Sequence, residues 1–285
     1  MLLKAYAKIN LILKILAKTP DDYHLLQMLN AKINLYDKIK IKKNSKKIDQ
    51  IKFKGKNVNN LNNHLVLSCL KIVKDYYHIE DFFKITITKK IPVGAGLGGG
   101  SCDVATIIRY LLDIYHIPLD IEVLGKLLKY QSADVVYCMV NYPAVVEGIG
   151  EKVTKIDVIL PKRLVIVYPN IYISTKEIFS NVTTYTNAFK MDEMILYIQT
   201  KKDAAFQNDL EKVAMSVHPL LEDVYQKLNK IGHTIMSGSG STMMVFDQHI
   251  NKIYKKIKKE YPQYLVKKVQ IIKENENGNK DKRTK

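Results

Sequence analysis

Arginine is almost missing from this 285-residue chain: Arg109, Arg163 and Arg283 are the only three, although lysine and arginine together number 45 and the formal charge is +17. Base reading and bidentate phosphate recognition favour arginine's planar fork. The lysines gather on segments 38–56 and 252–268 rather than alternating with aromatics, as a single-strand binder requires. Specific nucleic-acid binding is therefore not expected, and the basic surface instead draws anionic small molecules inward by attraction that weakens with salt. Cysteine is scarce too. Cys69, Cys102 and Cys138 are odd in number and form no C-x-x-C pair, which favours free thiols in a reducing compartment over a disulfide framework or zinc site. No apolar run reaches membrane-spanning length, and Lys4, Lys8 and Lys14 interrupt the apolar N-terminal stretch. Neither a membrane span nor a signal peptide is expected, and a cytoplasmic location is.

Two common phosphate signatures are absent as well. A Walker A loop needs lysine directly after its last glycine, where this chain has Gly100, and no H-R-D or D-F-G segment marks a protein kinase. What is present is Pro92-Val93-Gly94-Ala95-Gly96-Leu97-Gly98-Gly99-Gly100-Ser101, which holds five of the thirteen glycines just ahead of a helix-like run, Cys102 to Tyr115. Such a loop lets backbone N–H groups crowd around an anion while the helix turns its positive end toward it. A nucleotide phosphate fits that description. Gly94, Gly96 and Gly99 also satisfy the dinucleotide pattern G-x-G-x-x-G, with Asp113 near the distance of a ribose-binding acid, so a nicotinamide-dependent oxidoreductase is the competing class.

Periodicity predicts strands over 2–16, 25–35 and 37–48, with Thr19-Pro20-Asp21-Asp22 as a turn. A polar loop over 57–63 and a helix over 64–77 follow, and a strand over 82–88 delivers the glycine loop. Further on, a helix over 120–130, short strands over 135–140, 144–147 and 164–168, and helices beginning at Ser174, Phe206 and Pro219 are expected. Strands 233–236 and 242–246 flank a second small-residue loop, Ser237-Gly238-Ser239-Gly240-Ser241. The organisation expected is a domain over 1–155 that carries the phosphate loop, a second over 156–272 on the substrate side, and a disordered apolar-free tail over 273–285.

Four segments in order, Ala7-Lys8-Ile9-Asn10, the glycine loop with Ser101-Cys102-Asp103, Ser132-Ala133-Asp134-Val135 and the 237–241 loop, resemble the superfamily of galactokinase, homoserine kinase, mevalonate kinase and phosphomevalonate kinase. The resemblance runs from Ala7 to about Phe246. It implies an α+β fold of two domains around a deep cleft, ATP and Mg2+ as cofactors, a small-molecule substrate, and a monomer or homodimer. The branch resembled most phosphorylates the 2-hydroxyl of a cytidine-linked sugar alcohol on the non-mevalonate route to isoprenoid precursors; a homoserine or mevalonate kinase is the neighbouring alternative. By resemblance, Asp134 and Lys8 are catalytic. Lys89, Pro92, Gly94, Gly96, Leu97, Gly98, Gly99, Gly100 and Ser101 face the nucleotide, with Ser101 reaching the metal. Asn10, Tyr23, His24, Thr175, Phe179, Gly238 and Gly240 face the substrate, a cytosine ring lying between Tyr23 and Phe179. The chain departs from the family pattern at Asp22, Cys102, Ser132 and Val136, and at His64, which stands where relatives carry an adenine-reading asparagine.

Overall fold

Two long strands dominate the first half of the chain because apolar side chains recur on both faces through residues 2–43. In a computed structural model that describes residues 2–56, 58 and 61–272, β1 (Leu2–Lys18) and β2 (His24–Lys43) pair antiparallel from Leu2↔Lys40 to Lys18↔His24. Three register shifts, between Tyr6 and Lys8, Asn10 and Ile12, and Ile15 and Ala17, bend this ribbon. The strands expected separately over 25–35 and 37–48 are one strand that stops at Lys43. Asp37 interrupts the apolar pattern without ending the strand, because its carboxylate accepts the N–H groups of Lys90 and of Ile91, the latter at 2.9 Å.

The length of β2 gives it two partners along one edge. β4 (Phe83–Thr88) pairs with its C-terminal part and β5 (Ala144–Gly148) with its N-terminal part. β3 (Gln50–Lys54) extends the sheet parallel to β4, β6 (Lys152–Lys155) follows β5, and β8 (Gln207–Asn208) joins β1. A second, antiparallel sheet has the order β11 (Leu265–Gln270), β7 (Arg163–Tyr168), β10 (Met243–Phe246), β9 (His233–Met236).

Helices α1 (His64–Tyr76), α2 (Gly99–Ile114) and α3 (Ile121–Leu128) cover the first sheet, burying Leu70, Val73, Ile108 and Leu111 against Ile39, Ile85 and Ile87. Between the sheets, Ile9, Leu11 and Leu29 meet Ile166, Ile235 and Phe246 in one continuous apolar layer. α5 (Thr175–Ser180), α6 (Met191–Lys201), α7 (Leu210–Val217), α8 (Pro219–Asn229) and α9 (Ile250–Glu260) flank the second half.

Several expectations need correction. Val135–Val140 is not a strand: Val135–Cys138 is a single helical turn, α4, buried on every side, and a short apolar run carries no periodicity that separates the two. The helix expected from Phe206 begins at Leu210, because Gln207 and Asn208 bond to β1 first. β3, β6, α6, α9 and β11 were not anticipated; α6 buries only Met194 and Ile198, too few to set a pattern. The 273–285 tail and part of the 57–63 loop lie outside the described residues. Among the described residues no helix is long and apolar enough to cross a membrane.

Candidate active site

The glycine loop hangs between β4 and α2 in a conformation that its sequence makes possible. Gly98 sits at φ +61° as the cap of α2, and a Cβ there would come within 2.8 Å of Lys8 Cγ. Gly96, at φ +72°, would drive a Cβ to 2.0 Å from the Ser237 carbonyl oxygen. Only glycine accommodates both the left-handed backbone and the close approach. Helix α2 starts at Gly99, three residues before the run from Cys102 that periodicity marks, and its first ladder bond runs from the Cys102 N–H to the Gly98 carbonyl at 2.9 Å. The N–H groups of Gly99, Gly100 and Ser101 therefore have no acceptor within the helix. The loop carbonyls, in contrast, are taken. Ile173 N–H donates to Gly94 at 3.4 Å, Thr242 N–H to Ala95 at 3.3 Å, Ser237 Oγ to Gly96 at 3.0 Å and Lys8 N–H to Leu97 at 3.1 Å.

Beside this loop lies a charged pair. Lys8, on β1 and 3% exposed, places Nζ 3.0 Å from Asp134 Oδ2 and donates to Asn10 Oδ1 at 2.7 Å. Asn10 in turn donates to Asn30 Oδ1 at 2.7 Å. Both ends of its amide are thus engaged, and Asn10 steadies Lys8 from below. Asp134 is the N-terminal cap residue of α4. Ser132 Oγ lies 2.9 Å from Ser101 Oγ and accepts the Asp134 N–H at 3.4 Å, so it ties the phosphate-loop helix to the turn that presents Asp134.

Lys89 lines the same cleft, but its ammonium is spoken for, 2.5 Å from Asp37 Oδ2 and 2.6 Å from Asp103 Oδ2, all three side chains buried. Burial alone would lower the lysine; the two carboxylates outweigh it and raise Lys89 above its usual range. Burial, opposed by Lys89, pushes Asp103 up to about 7. The cleft encloses about 500 Å³ and runs from Lys8, Asp134 and the loop to Thr175, Phe179 and Gly238. Thr175 Oγ1 and Ser239 Oγ are bonded at 2.9 Å, joining α5 to the second small-residue loop. Asn208 holds that loop by donating to the Met236 and Gly238 carbonyls at 2.8 and 2.7 Å.

Of the expected substrate-side aromatics, His24 is buried with its ring 5.2 Å from Phe179 and 6.5 Å from Tyr185; burial and the nearby Lys18 hold its imidazole below the usual histidine range. Tyr23 does not face Phe179. It is 39% exposed and packs on Tyr130 at 5.4 Å. Tyr23, His24 and Gly240 stand outside the lining of the cleft; a Cβ on Gly240 would meet Met236 Sδ at 2.6 Å, within the protein.

The profile of the GHMP kinases N terminal domain matches residues 64–142, and that of the GHMP kinases C terminal region matches residues 198–263. Over 284 residues the chain is 35% identical to the 4-diphosphocytidyl-2-C-methyl-D-erythritol kinase of Clostridium botulinum strain Langeland, covering 93% of this chain and 99% of the relative. The chain belongs to the GHMP kinase family. A relative of the same name from Clostridium kluyveri is 35% identical over 282 residues, with the same coverage of both chains. Among solved structures, a 4-(cytidine 5'-diphospho)-2C-methyl-D-erythritol kinase superposes with a TM-score of 0.73 at 23% identity, covering 95% of this chain and 99% of that one. Homoserine kinase from Cytophaga hutchinsonii superposes with a TM-score of 0.70 at 17% identity over 94% and 95% of the two chains. The fold is thus that of the GHMP kinases, and Gly94, Gly96 and Gly99 belong to a kinase loop on a largely antiparallel sheet, not to a dinucleotide fold.

One wall of the cleft in this GHMP kinase was marked in the sequence only at His64, the neighbour of Leu65. Phe53, Leu61, Leu65 and Val66 line the far end of the cleft beside Asn62. In the sequence, Leu65 and Val66 have the spacing of a helix that faces a core, and that signal alone does not distinguish the residues at the mouth of the helix. Ser132 and Asp103 were legible as members of two of the family-like segments, Ser132 as a departure from the pattern; their bonds to Ser101 and Lys89 are tertiary.

Proposed function

We propose that this GHMP kinase transfers the γ-phosphoryl group of ATP to the 2-hydroxyl of 4-diphosphocytidyl-2-C-methyl-D-erythritol, on the non-mevalonate route to isoprenoid precursors. The observation that carries the reading is the Lys8–Asp134 pair at 3.0 Å, set in the same cleft as the open N-terminus of α2. Asp134 accepts the proton of the substrate hydroxyl, and Lys8 holds that carboxylate and offsets the charge on the reacting oxygen. The free N–H groups of Gly99, Gly100 and Ser101 and the positive end of α2 cradle the phosphates. Positioning and charge neutralisation supply most of the acceleration in such a transfer.

Magnesium fits this site as a partner of the phosphates rather than of a protein cage. Among the described residues no cluster of three His, Cys, Asp or Glu side chains could hold a metal ion. The Ser101 and Ser132 hydroxyls, 2.9 Å apart, are oxygen donors at the loop. Ser101 and Ser132 would hold Mg2+ there, and the ion would supply charge neutralisation for the phosphates. On the substrate side, Phe179, which lines the cleft, is the ring that meets the cytosine, with His24 packed beside it at 5.2 Å.

The test is a coupled assay of ADP release with ATP and the cytidine-linked substrate, with homoserine and mevalonate as competitors for the role. Asp134→Asn should lower kcat by roughly 10² to 10⁴, the range that a positioned proton acceptor contributes, while ATP still binds. Turnover of the variant within a few-fold of the parent, or a parent that prefers homoserine or mevalonate, refutes the assignment.

A further inference from the structure

Lys8 has a counterpart that the proposed chemistry does not use. Lys8 and Lys32 are directly opposed on β1 and β2, so their side chains leave the same face of the sheet, and both are buried, at 3% and 5% exposure. Each reaches one end of the same short helix. Lys8 takes Asp134, at the N-terminal end of α4. Lys32 Nζ donates to the carbonyl of Cys138, the last residue of α4, at 2.6 Å, and to Asn141 Oδ1 at 3.2 Å. From α2, Arg109 Nη1 donates to the next carbonyl, that of Met139, at 2.7 Å.

The two ends of one helical turn lie only about 6 Å apart, and its last carbonyls have no acceptor role within the helix. Two cations meet them here, the sign that the negative end of a helix favours. Among the described residues no carboxylate pairs with Lys32, and burial lowers its pKa. An ammonium kept in such a place without a counter-ion is costly, which is out of proportion to the capping of a four-residue helix far from any function.

We propose that Lys32 is a positioning residue for phosphoryl transfer: with Lys8 it clamps α4 at both ends, Arg109 adding support, and so fixes Asp134 against the phosphate loop. A single turn has too few internal hydrogen bonds to hold its own place, so its position along the sheet is set by what grips its ends. With Lys32 gone, the C-terminal end of α4 keeps only the Arg109 bond to the Met139 carbonyl, and the turn that presents Asp134 is held less firmly. This inference rests on Asp134 being the proton acceptor.

The test uses the full chain, with Lys32→Met and Asp134→Asn singly and together, and follows kcat, KM for ATP, KM for the cytidine-linked substrate and thermal unfolding. Lys32→Met should lower kcat about 10- to 100-fold, since misplacement of about 1 Å costs on the order of 10², while both KM values move less than about three-fold. In the Asp134→Asn background the same substitution should cost less than about two-fold. An equal fractional loss in both backgrounds would show a general structural role and overturn the clamp, as would a Lys32→Met enzyme with normal kcat. If Lys32→Met does not fold, Asn141→Ala, which removes the second acceptor of Lys32, should lower kcat at least about three-fold with KM unchanged; unaltered kcat refutes the proposal. A crippled Asp134→Asn beside a normal Lys32→Met sinks the clamp alone, whereas an active Asp134→Asn sinks both readings.

Discussion

Gly98→Ala is the smallest perturbation that reaches the proposed chemistry through the loop. The residue sits at φ +61°, where an L side chain costs about 1–2 kcal/mol. Its new methyl would lie 2.8 Å from Lys8 Cγ and 2.9 Å from Lys8 Cε. Ordinary contact begins near 3.4 Å, so the lysine chain must retreat by about 0.6 Å. Lys8 cannot do so quietly, because its Nζ is bonded to Asp134 at 3.0 Å and Asn10 at 2.7 Å while its N–H holds the Leu97 carbonyl at 3.1 Å. A shift of that size at a positioned group is worth roughly 10- to 100-fold in rate, or about 1.4–2.7 kcal/mol of barrier. Steady-state kinetics should therefore show kcat falling by that factor, with the ATP Kd from titration calorimetry changing less. The strain should lower Tm by about 2–8 °C, at 2–4 °C per kcal/mol for a domain of this size. Gly100→Ala is the stability control: its Cβ would meet nothing nearer than Leu65 at 3.7 Å, and Tm should not fall. A Gly98→Ala enzyme with kcat within two-fold of the parent, or one that loses only ATP affinity, would refute the link from loop to Lys8.

Lys8→Ala should cost about as much as Asp134→Asn, and the double variant should be scarcely worse than either, as expected of groups that act as a unit; additive losses in kcat would contradict this. Phe179→Ala should raise KM for the cytidine-linked substrate about ten-fold or more, since an aromatic face under a base is worth roughly 1–3 kcal/mol, with KM for ATP unmoved; equal effects on both would place Phe179 outside the cytosine site. Burial raises Glu211, which accepts the Met236 N–H at 2.6 Å, from the ordinary 4.5 to about 7. The folded state then binds more protons than the unfolded one between those values, so this group's contribution falls as pH rises from about 4.5 to about 7, by about 3 kcal/mol at most. Urea unfolding at pH 5 and pH 8 should show that loss shrinking in Glu211→Gln, and an identical loss in both proteins would contradict it.

What the sequence disclosed and what it hid divide along physical lines. The glycine loop was legible because left-handed backbone and close approach at Gly96 and Gly98 leave one residue type able to serve. Lys8 and Asp134 were legible through resemblance, and the structure brings them together. Tyr23 was expected across a cytosine from Phe179, whereas its ring packs on Tyr130; it follows a turn with Asp22 at φ 64°, and no local pattern says which ring it meets. Lys89, expected beside the nucleotide, lines the cleft, but its ammonium also pairs with Asp37 and Asp103, and the pairing with Asp37, far back in the chain, leaves no periodic trace. Lys32 is the extreme case. Among 45 basic residues nothing in its neighbourhood marks it, and only the register Lys8↔Lys32 shows that two lysines address one helix.

The proposed anion site belongs to the whole chain even though its glycines lie in one segment. A loop binds phosphate through amides only if its carbonyls, which repel the same anion, are turned away and satisfied. Five successive carbonyls, from Gly94 to Gly98, accept hydrogen bonds, and three of the donors, Ile173, Ser237 and Thr242, come from the second half of the sequence. Asn208, on the strand that joins β1, in turn fixes the 237–241 loop that supplies one of them. The N-terminal segment thus carries the amides, but the C-terminal segment determines which way they point.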